Sequence, residues 1–281
     1  MITQPKVLIL HATGTNRDHD AAWAVERAGG RPEIVHVNSL HENPTRLHDF
    51  QMMILPGGFS YGDALGAGRL WASDLRWLFQ EALTRFIEAG KPVLGICNGF
   101  QALVKSGWLP GSPPLSSPPH QEGMSNPLSG DSPAAMQREQ KASATLTRNA
   151  SNKFECRWVW LEANRDSPCV FTRGVSERIY CPVAHGEGRF VPQDADTLAQ
   201  LQAQGQIALT YVHADGSRAD YPANPNGSIA GIAGVCNARG NVLGLMPHPE
   251  DHVIAEQHPQ RKQGHLGLTL FENGIRYAKE I

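Results

Sequence analysis

Four short apolar runs, Val7-Leu8-Ile9-Leu10, Ile34-Val35-His36-Val37, Met52-Met53-Ile54-Leu55 and Val93-Leu94-Gly95-Ile96, punctuate the first hundred residues. Runs of this length, separated by helical patterns, are the signature of β-α-β units and of a mostly parallel sheet. The polar loop Thr13-Gly14-Thr15-Asn16-Arg17-Asp18 leads from the first run into a helix that ends near Gly29-Gly30. Ser73 is a good N-cap for a second helix, which places Leu75, Leu78, Phe79, Ala82, Leu83, Phe86 and Ile87 on one apolar face and stops at Gly90 and Pro92. The last run leads directly into Cys97, and residues Asn98 to Ser106 form a helix closed by Gly107. Further on, Phe154 to Leu161, Ile207 to Val212 and Val242 to Met246 read as strands, and a final amphipathic helix carries Leu266, Leu270, Phe271 and Ile275.

These elements predict one domain over residues 1–281, interrupted by a surface insert at 110–133 with seven Pro, six Ser and three Gly among its 24 residues and little to bury. An apolar share of 41% excludes a disordered chain, and no apolar run is long enough to span a membrane. With 25 basic and 27 acidic side chains the net charge is −2, and no basic cluster is present to grip nucleic acid. The five cysteines, Cys97, Cys156, Cys169, Cys181 and Cys236, are odd in number and never spaced as CxxC. Neither a disulfide framework nor a metal site is expected, and four of the five read as reduced packing residues. The N-terminal apolar run is too brief for a secretory signal, so a cytoplasmic location is expected.

Gly95-Ile96-Cys97-Asn98-Gly99 has the form of a nucleophile elbow, in which glycines on either side of a nucleophile allow a tight strand-to-helix turn. A thiol there feels the positive end of the helix dipole; the bland alternative is a buried cysteine acting as a small hydrophobe. A cysteine nucleophile needs a base, and the base needs an acceptor to orient it. In Pro247-His248-Pro249-Glu250 the imidazole and the carboxylate are two residues apart, and on extended backbone they share a face. His248 could otherwise simply pack a loop. Gly57-Gly58, directly after a strand, can present backbone amides at the sheet edge where Cys97 sits. Gly58 and the Asn98 amide are the expected oxyanion donors.

Taken with Phe100-Gln101 and Pro56-Gly57-Gly58, these segments resemble the class I, triad-type glutamine amidotransferases. Gly57-Gly58-Phe59-Ser60-Tyr61-Gly62-Asp63, Phe154-Glu155-Cys156-Arg157-Trp158-Val159, Ala184-His185-Gly186-Glu187-Gly188-Arg189-Phe190, Pro225-Asn226-Gly227-Ser228 and Gly240-Asn241-Val242-Leu243-Gly244-Leu245-Met246 are similar to the glutaminase part of phosphoribosylformylglycinamidine synthases. Strand pattern and resemblance together predict an α/β fold, flavodoxin-like, with a mostly parallel sheet flanked by helices and added antiparallel strands. The resemblance implies hydrolysis of L-glutamine by Cys97, His248 and Glu250 through a thioester. Ammonia would pass to a synthetase subunit that makes formylglycinamidine ribonucleotide in purine synthesis, with room for a small accessory subunit. It also implies that Gly57, Gln101, His185 and Gly186 help to hold glutamine, although Gln101 could be a solvated helix residue, and Arg69 or Arg189 could be surface charges or synthetase contacts.

No cofactor is expected on this chain. ATP and Mg²⁺ are expected on the synthetase partner, in keeping with the lack of a Gly-x-x-x-x-Gly-Lys-Ser/Thr phosphate loop. The other readings are the glutaminase of a different amidotransferase and a catalytically silent glutamine- or partner-binding module. Two positions depart from the pattern of small-subunit members: Arg17 stands where cysteine is common, and Leu65-Gly66-Ala67-Gly68 resembles the form found where glutaminase and synthetase are fused. The resemblance further implies little glutaminase activity without the partner.

Overall fold

The computed structural model describes residues 3–111 and 143–281, so the insert predicted at 110–133 lies outside the described residues except for Pro110 and Gly111. In chain order the elements are β1 (Lys6–His11), α1 (Asp18–Arg27), β2 (Arg31–His36), α2 (Val37–Glu42), β3 (Met52–Leu55), α3 (Arg69–Trp77), α4 (Gln80–Glu88), β4 (Val93–Ile96), α5 (Asn98–Lys105), β5 (Ala144–Thr147), β6 (Glu155–Ala163), β7 (Ile179–His185), β8 (Arg189–Pro192), α6 (Ala195–Ala203), β9 (Ile207–Val212), β10 (Ile232–Cys236), β11 (Val242–Leu245) and α7 (Leu268–Glu280).

Nine strands form one sheet in the order β2-β1-β3-β4-β11-β10-β9-β6-β7, while β5 and β8 pair separately. From β2 to β11 the strands run parallel. From β11 onward each neighbour is antiparallel. The parallel half has the flavodoxin-like order, with β11 as its fifth strand, and the antiparallel half extends it. Burial follows this division: every residue of β3, β4 and β11 is buried, whereas β7 alternates buried and half-buried positions. A strand covered on both faces and a strand with one wetter face should differ in this way. All five cysteines are free, but Cys156 is exposed on β6, so it is not the packing residue its composition class suggested.

Three expected elements are corrected. The helix predicted from Ser73 to Gly90 is two helices, and Ser73 lies inside α3, whose start is set by Gly68 in the left-handed region (φ 68°). Leu78 and Phe79 both donate their amides to the Asp74 carbonyl (2.8 and 3.2 Å), and the second bond is a five-residue step that ends the α-helical run. The buried stripe Leu75, Phe79, Leu83 and Phe86 survives the break, and Leu78 leaves it. Periodicity alone cannot register such a break, because the spacing across it is unchanged. Val37 begins α2 rather than ending β2, since His36 Nδ1 accepts the Asn38 amide (3.1 Å) and caps the turn. Leu266 precedes α7, whose entry is set by the Gly267 amide donating to the His252 carbonyl (2.7 Å). The strands β5, β7, β8 and β10, with α2 and α6, are further elements beyond those expected.

Two buried amides tie the later part of the chain to the first hundred and ten residues. Asn241 Nδ2 donates to the carbonyls of Ile87 (2.9 Å) and Lys91 (3.0 Å), tying the β10–β11 turn to the approach to β4. Gln206 Nε2 donates to the carbonyls of Pro110 (2.8 Å) and Cys236 (2.9 Å), so the chain leaves for the insert from a fixed point. Replacing Asn241 with Ala strands buried acceptors and should cost about 2–3 kcal/mol in urea unfolding. A loss below about 0.5 kcal/mol, the scale of an ordinary surface change, would contradict this account of how β11 is held.

Candidate active site

The carboxyl ends of β3, β4 and β11 meet where the expected site residues lie. Cys97 follows β4 with φ 48° and ψ −102°, a strained conformation outside the regions ordinary residues occupy. Its amide donates to the Leu245 carbonyl (2.8 Å), so the last parallel strand holds the turn from one side. From the other side α5 presses onto β3: a Cβ on Gly99 would lie 2.0 Å from the Leu55 carbonyl oxygen, so no larger residue fits there. The thiol is buried, and Sγ donates to the Ala184 carbonyl at the end of β7 (3.8 Å).

His248 and Glu250 follow β11, both fully enclosed, with His248 Nδ1 and Glu250 Oε1 2.7 Å apart. Burial on its own would lower the imidazole's pKa. The Glu250 carboxylate, and with it Cys97, overrides burial and holds His248 well above its usual range. Neither His248 Nε2 nor Glu250 Oε2 has a hydrogen-bond partner among the described residues. Gly57 backs the ring, because a Cβ there would lie 2.6 Å from His248 Cε1. Gly58 pairs with Thr15 through a bridge whose hydrogen bond, Phe59 amide to Gly14 carbonyl (3.1 Å), uses the neighbouring residue and not the Gly58 amide. The Asn98 backbone amide opens α5 and belongs to the set of N-terminal donors that a helix cannot satisfy internally.

The other predicted residues are close by, in roles that spacing alone does not reveal. The Asn98 side chain accepts the Ser60 amide (3.0 Å) and donates to Asp63 Oδ1 (3.1 Å) and Gln101 Oε1 (3.0 Å). Gln101 in turn donates Nε2 to the Glu187 carbonyl (2.6 Å), so both ends of its amide are engaged within the protein. Lys105, one helical turn further, donates to the Ala67 carbonyl and lies 3.7 Å from the Glu187 carboxylate. Helix α5, which Cys97 caps, therefore grips both the 60–68 segment and the 186–188 turn. His185 and Gly186 lie at the end of β7, with His185 buried near His248.

Residues missed by sequence reasoning complete the surroundings. Arg17, noted only as a departure, donates to Asp20 (3.1 Å) and Asp251 (3.2 Å), tethering the first loop to the segment that carries His248 and Glu250. Burial and the adjacent Glu250 charge push the Asp251 carboxyl up to about 6, against the lowering influence of His248 and Arg17. Asn149, which carries no motif, donates Nδ2 to the carbonyls of Lys153 (2.9 Å) and His185 (2.8 Å), and accepts the Gly188 amide (2.9 Å). A buried thiol near an imidazole that is itself held by a carboxylate has the make-up of a nucleophile with its base.

Comparison with known proteins agrees with this chemistry. A family model of the CobB/CobQ-like glutamine amidotransferase domain matches residues 4–278. The chain is 44% identical to phosphoribosylformylglycinamidine synthase subunit PurQ of Treponema denticola, over 98% of this chain and 99% of that one. It is 41% identical to the PurQ subunit of Dehalococcoides mccartyi, over 100% of both chains. These relatives are separate subunits of nearly the same length, not fused synthases. Among solved structures, a chain of PurLQS from Thermotoga maritima superimposes with a TM-score of 0.69 at 32% identity, covering 98% of this chain and 99% of that one. The chain thus belongs to the CobB/CobQ-like glutamine amidotransferases and, within them, to the PurQ subunits of phosphoribosylformylglycinamidine synthase.

Proposed function

We propose that this chain is the ammonia-generating half of the synthase: it hydrolyses L-glutamine through Cys97, His248 and Glu250 and delivers the nitrogen to a PurL-type synthetase subunit. The observation that carries the reading is the enclosed His248–Glu250 pair, 2.7 Å apart, beside a thiol on a strained strand-to-helix turn. His248 takes the Cys97 proton, and Sγ bonds to the side-chain carbonyl carbon of glutamine. The negative charge on the resulting oxyanion meets the amides of Gly58 and Asn98. As the carbon–nitrogen bond breaks, the nitrogen takes the proton from His248 and leaves as NH₃. Water then adds to the γ-glutamyl thioester, returns its proton through His248 to sulfur, and releases glutamate. Glu250 orients the ring and stabilises its charged form throughout.

Gly57, Gln101, His185 and Gly186 shape the space that glutamine occupies. Gln101 does so by holding the 186–188 turn through the Glu187 carbonyl. The residues are those of one domain that needs no cofactor of its own; ATP and Mg²⁺ belong with the synthetase. A reducing cytoplasm suits its five free thiols, and no helix among the described residues is long and apolar enough to cross a membrane.

Replacing Cys97 with Ala should lower glutamine-dependent amidation by about 10⁶-fold, the scale for losing a nucleophile, while added ammonium salt still supports the synthetase in the same complex. Normal glutamate release by that variant would mean that another group attacks. Replacing Glu250 with Gln should cost about 10⁴-fold in kcat, less than loss of Cys97 or His248, because the group orients and does not react. In the same variant burial is no longer offset, so the His248 pKa falls and the acid limb of the kcat/KM profile, where the ring must lose its proton to act as a base, moves to lower pH. An unmoved limb would show that another group sets it.

A further inference from the structure

The Gly57-Gly58 turn rests on the first loop. Gly58 has φ 136°, and a Cβ on it would lie 2.7 Å from the Asn16 amide nitrogen and 2.9 Å from Thr15 Cα, so the two backbones are in direct contact. The Phe59 amide donates to the Gly14 carbonyl (3.1 Å), and the Tyr61 amide donates to the Thr13 carbonyl (2.6 Å). A Cβ on Gly14 would in turn meet the Phe59 carbonyl oxygen at 2.1 Å. Residues 13–16 and 58–61 are therefore one packed unit, and whatever fixes the first loop also fixes the Gly58 amide.

At its far end that loop carries Arg17, whose side chain passes Gly57. A Cβ on Gly57 would lie 3.5 Å from Arg17 Cγ and 2.6 Å from His248 Cε1, so the glycine has the arginine's stem and the imidazole as neighbours. Further out, Arg17 Nη1 donates to Asp20 in the first turn of α1 (3.1 Å) and to Asp251, the residue after Glu250 (3.2 Å). Burial lowers the guanidinium's pKa, but the carboxylates of Asp251, Asp20 and Glu250 outweigh it and hold the group above its ordinary value. One side chain thus reaches from the loop under Gly58 to the segment that carries His248 and Glu250.

An oxyanion donor has to be aimed before the reaction starts, and a donor moved by roughly 1 Å can cost about 10²-fold in rate. Because the oxyanion exists only after attack, such a displacement lowers kcat and leaves substrate binding alone.

Building on the reading of Cys97 as nucleophile and Gly58 as oxyanion donor, we propose that Arg17 is a positioning residue: through Asp251 it clamps the first loop, and with it the Gly57-Gly58 turn, to the His248–Glu250 segment. It touches no reacting atom. Asp20 holds the same guanidinium nitrogen from the side of α1, so the clamp also ties the turn to the helix that follows the loop.

The test measures, in the glutaminase–synthetase complex, both glutamine hydrolysis and alkylation of Cys97 by iodoacetamide. Alkylation displaces iodide from a saturated carbon and develops no oxyanion, so it reports on the thiol and its base alone. Replacing Arg17 with Met keeps a stem beside Gly57 and removes the charge. It should lower kcat about tenfold while changing KM for glutamine and the alkylation rate by less than about twofold each. Arg17→Lys should keep at least about half of the wild-type kcat, because a single nitrogen makes both contacts. Asp251→Asn should lower kcat to a similar extent as Arg17→Met, and the double variant should lose no more than either alone. The proposal is overturned by an unchanged kcat in Arg17→Met, by a loss that resides in KM or is shared by alkylation, by a Lys variant as slow as the Met variant, or by additive losses in the double variant. Should Arg17→Met fail to fold, Asp251→Asn supports the same comparison with the Arg17 stem intact. If the wild-type complex still hydrolyses glutamine once Cys97 is fully alkylated, the assignment of the nucleophile fails, and not that of Arg17.

Discussion

The backbone at Cys97 turns through φ 48° and ψ −102° between a wholly buried strand and the helix that follows it, and the rest of the site depends on that turn being held. A non-glycine residue is held there only when its neighbours over-determine it. On one side the Leu245 carbonyl takes its amide; on the other, Gly99 lets α5 settle against the Leu55 carbonyl. The result is a helix N-terminus aimed at the sulfur and a helix body close enough to reach both flanking loops. Through Asn98, Gln101 and Lys105, that helix fixes the 60–68 segment and the 186–188 turn relative to Cys97. The conformation that sets the thiol at the carboxyl edge of the parallel strands also builds the walls around it.

Two histidines in this small volume show how burial and neighbouring charge compete. His248 and His185 are both enclosed, and enclosure alone lowers both. His248 escapes because a carboxylate lies 2.7 Å from its ring. His185 has only the Asn149 carboxamide, a neutral acceptor that selects a tautomer without stabilising a charge. One ring is therefore able to hold a proton, and the other is not.

The parallel half of the sheet was legible because its strands are buried on both faces and read as uninterrupted apolar runs. The elbow and the His248–Glu250 pair were legible because their geometry is local: glycines two residues either side, a carboxylate two residues on. What escaped is what depends on distant partners. Strand β7 carries Pro182 and alternates at the sheet edge, and β10 is short and broken by Gly234, so neither has a strong pattern of its own. The break between α3 and α4 preserves the apolar spacing. Asn149 and Arg17 act across the fold on His185, Gly188 and Asp251, and nothing beside them in sequence announces it. Gln101 was legible as a neighbour of the site, but its engagement with Glu187 was not.

The pairing of β4 with β11 also determines when the chemistry can begin. Cys97 is translated early, yet the carbonyl that anchors its turn belongs to Leu245 and the base proposed for it is His248, both far along the chain. Contacts of such long sequence separation form late in folding, because the loop they close carries a large entropic cost. A chain still emerging from the ribosome therefore has the elbow's residues without its strain, and a thiol without its base. On the proposed mechanism reactivity arrives with the last parallel strand, so an unfinished or truncated chain is expected not to consume glutamine.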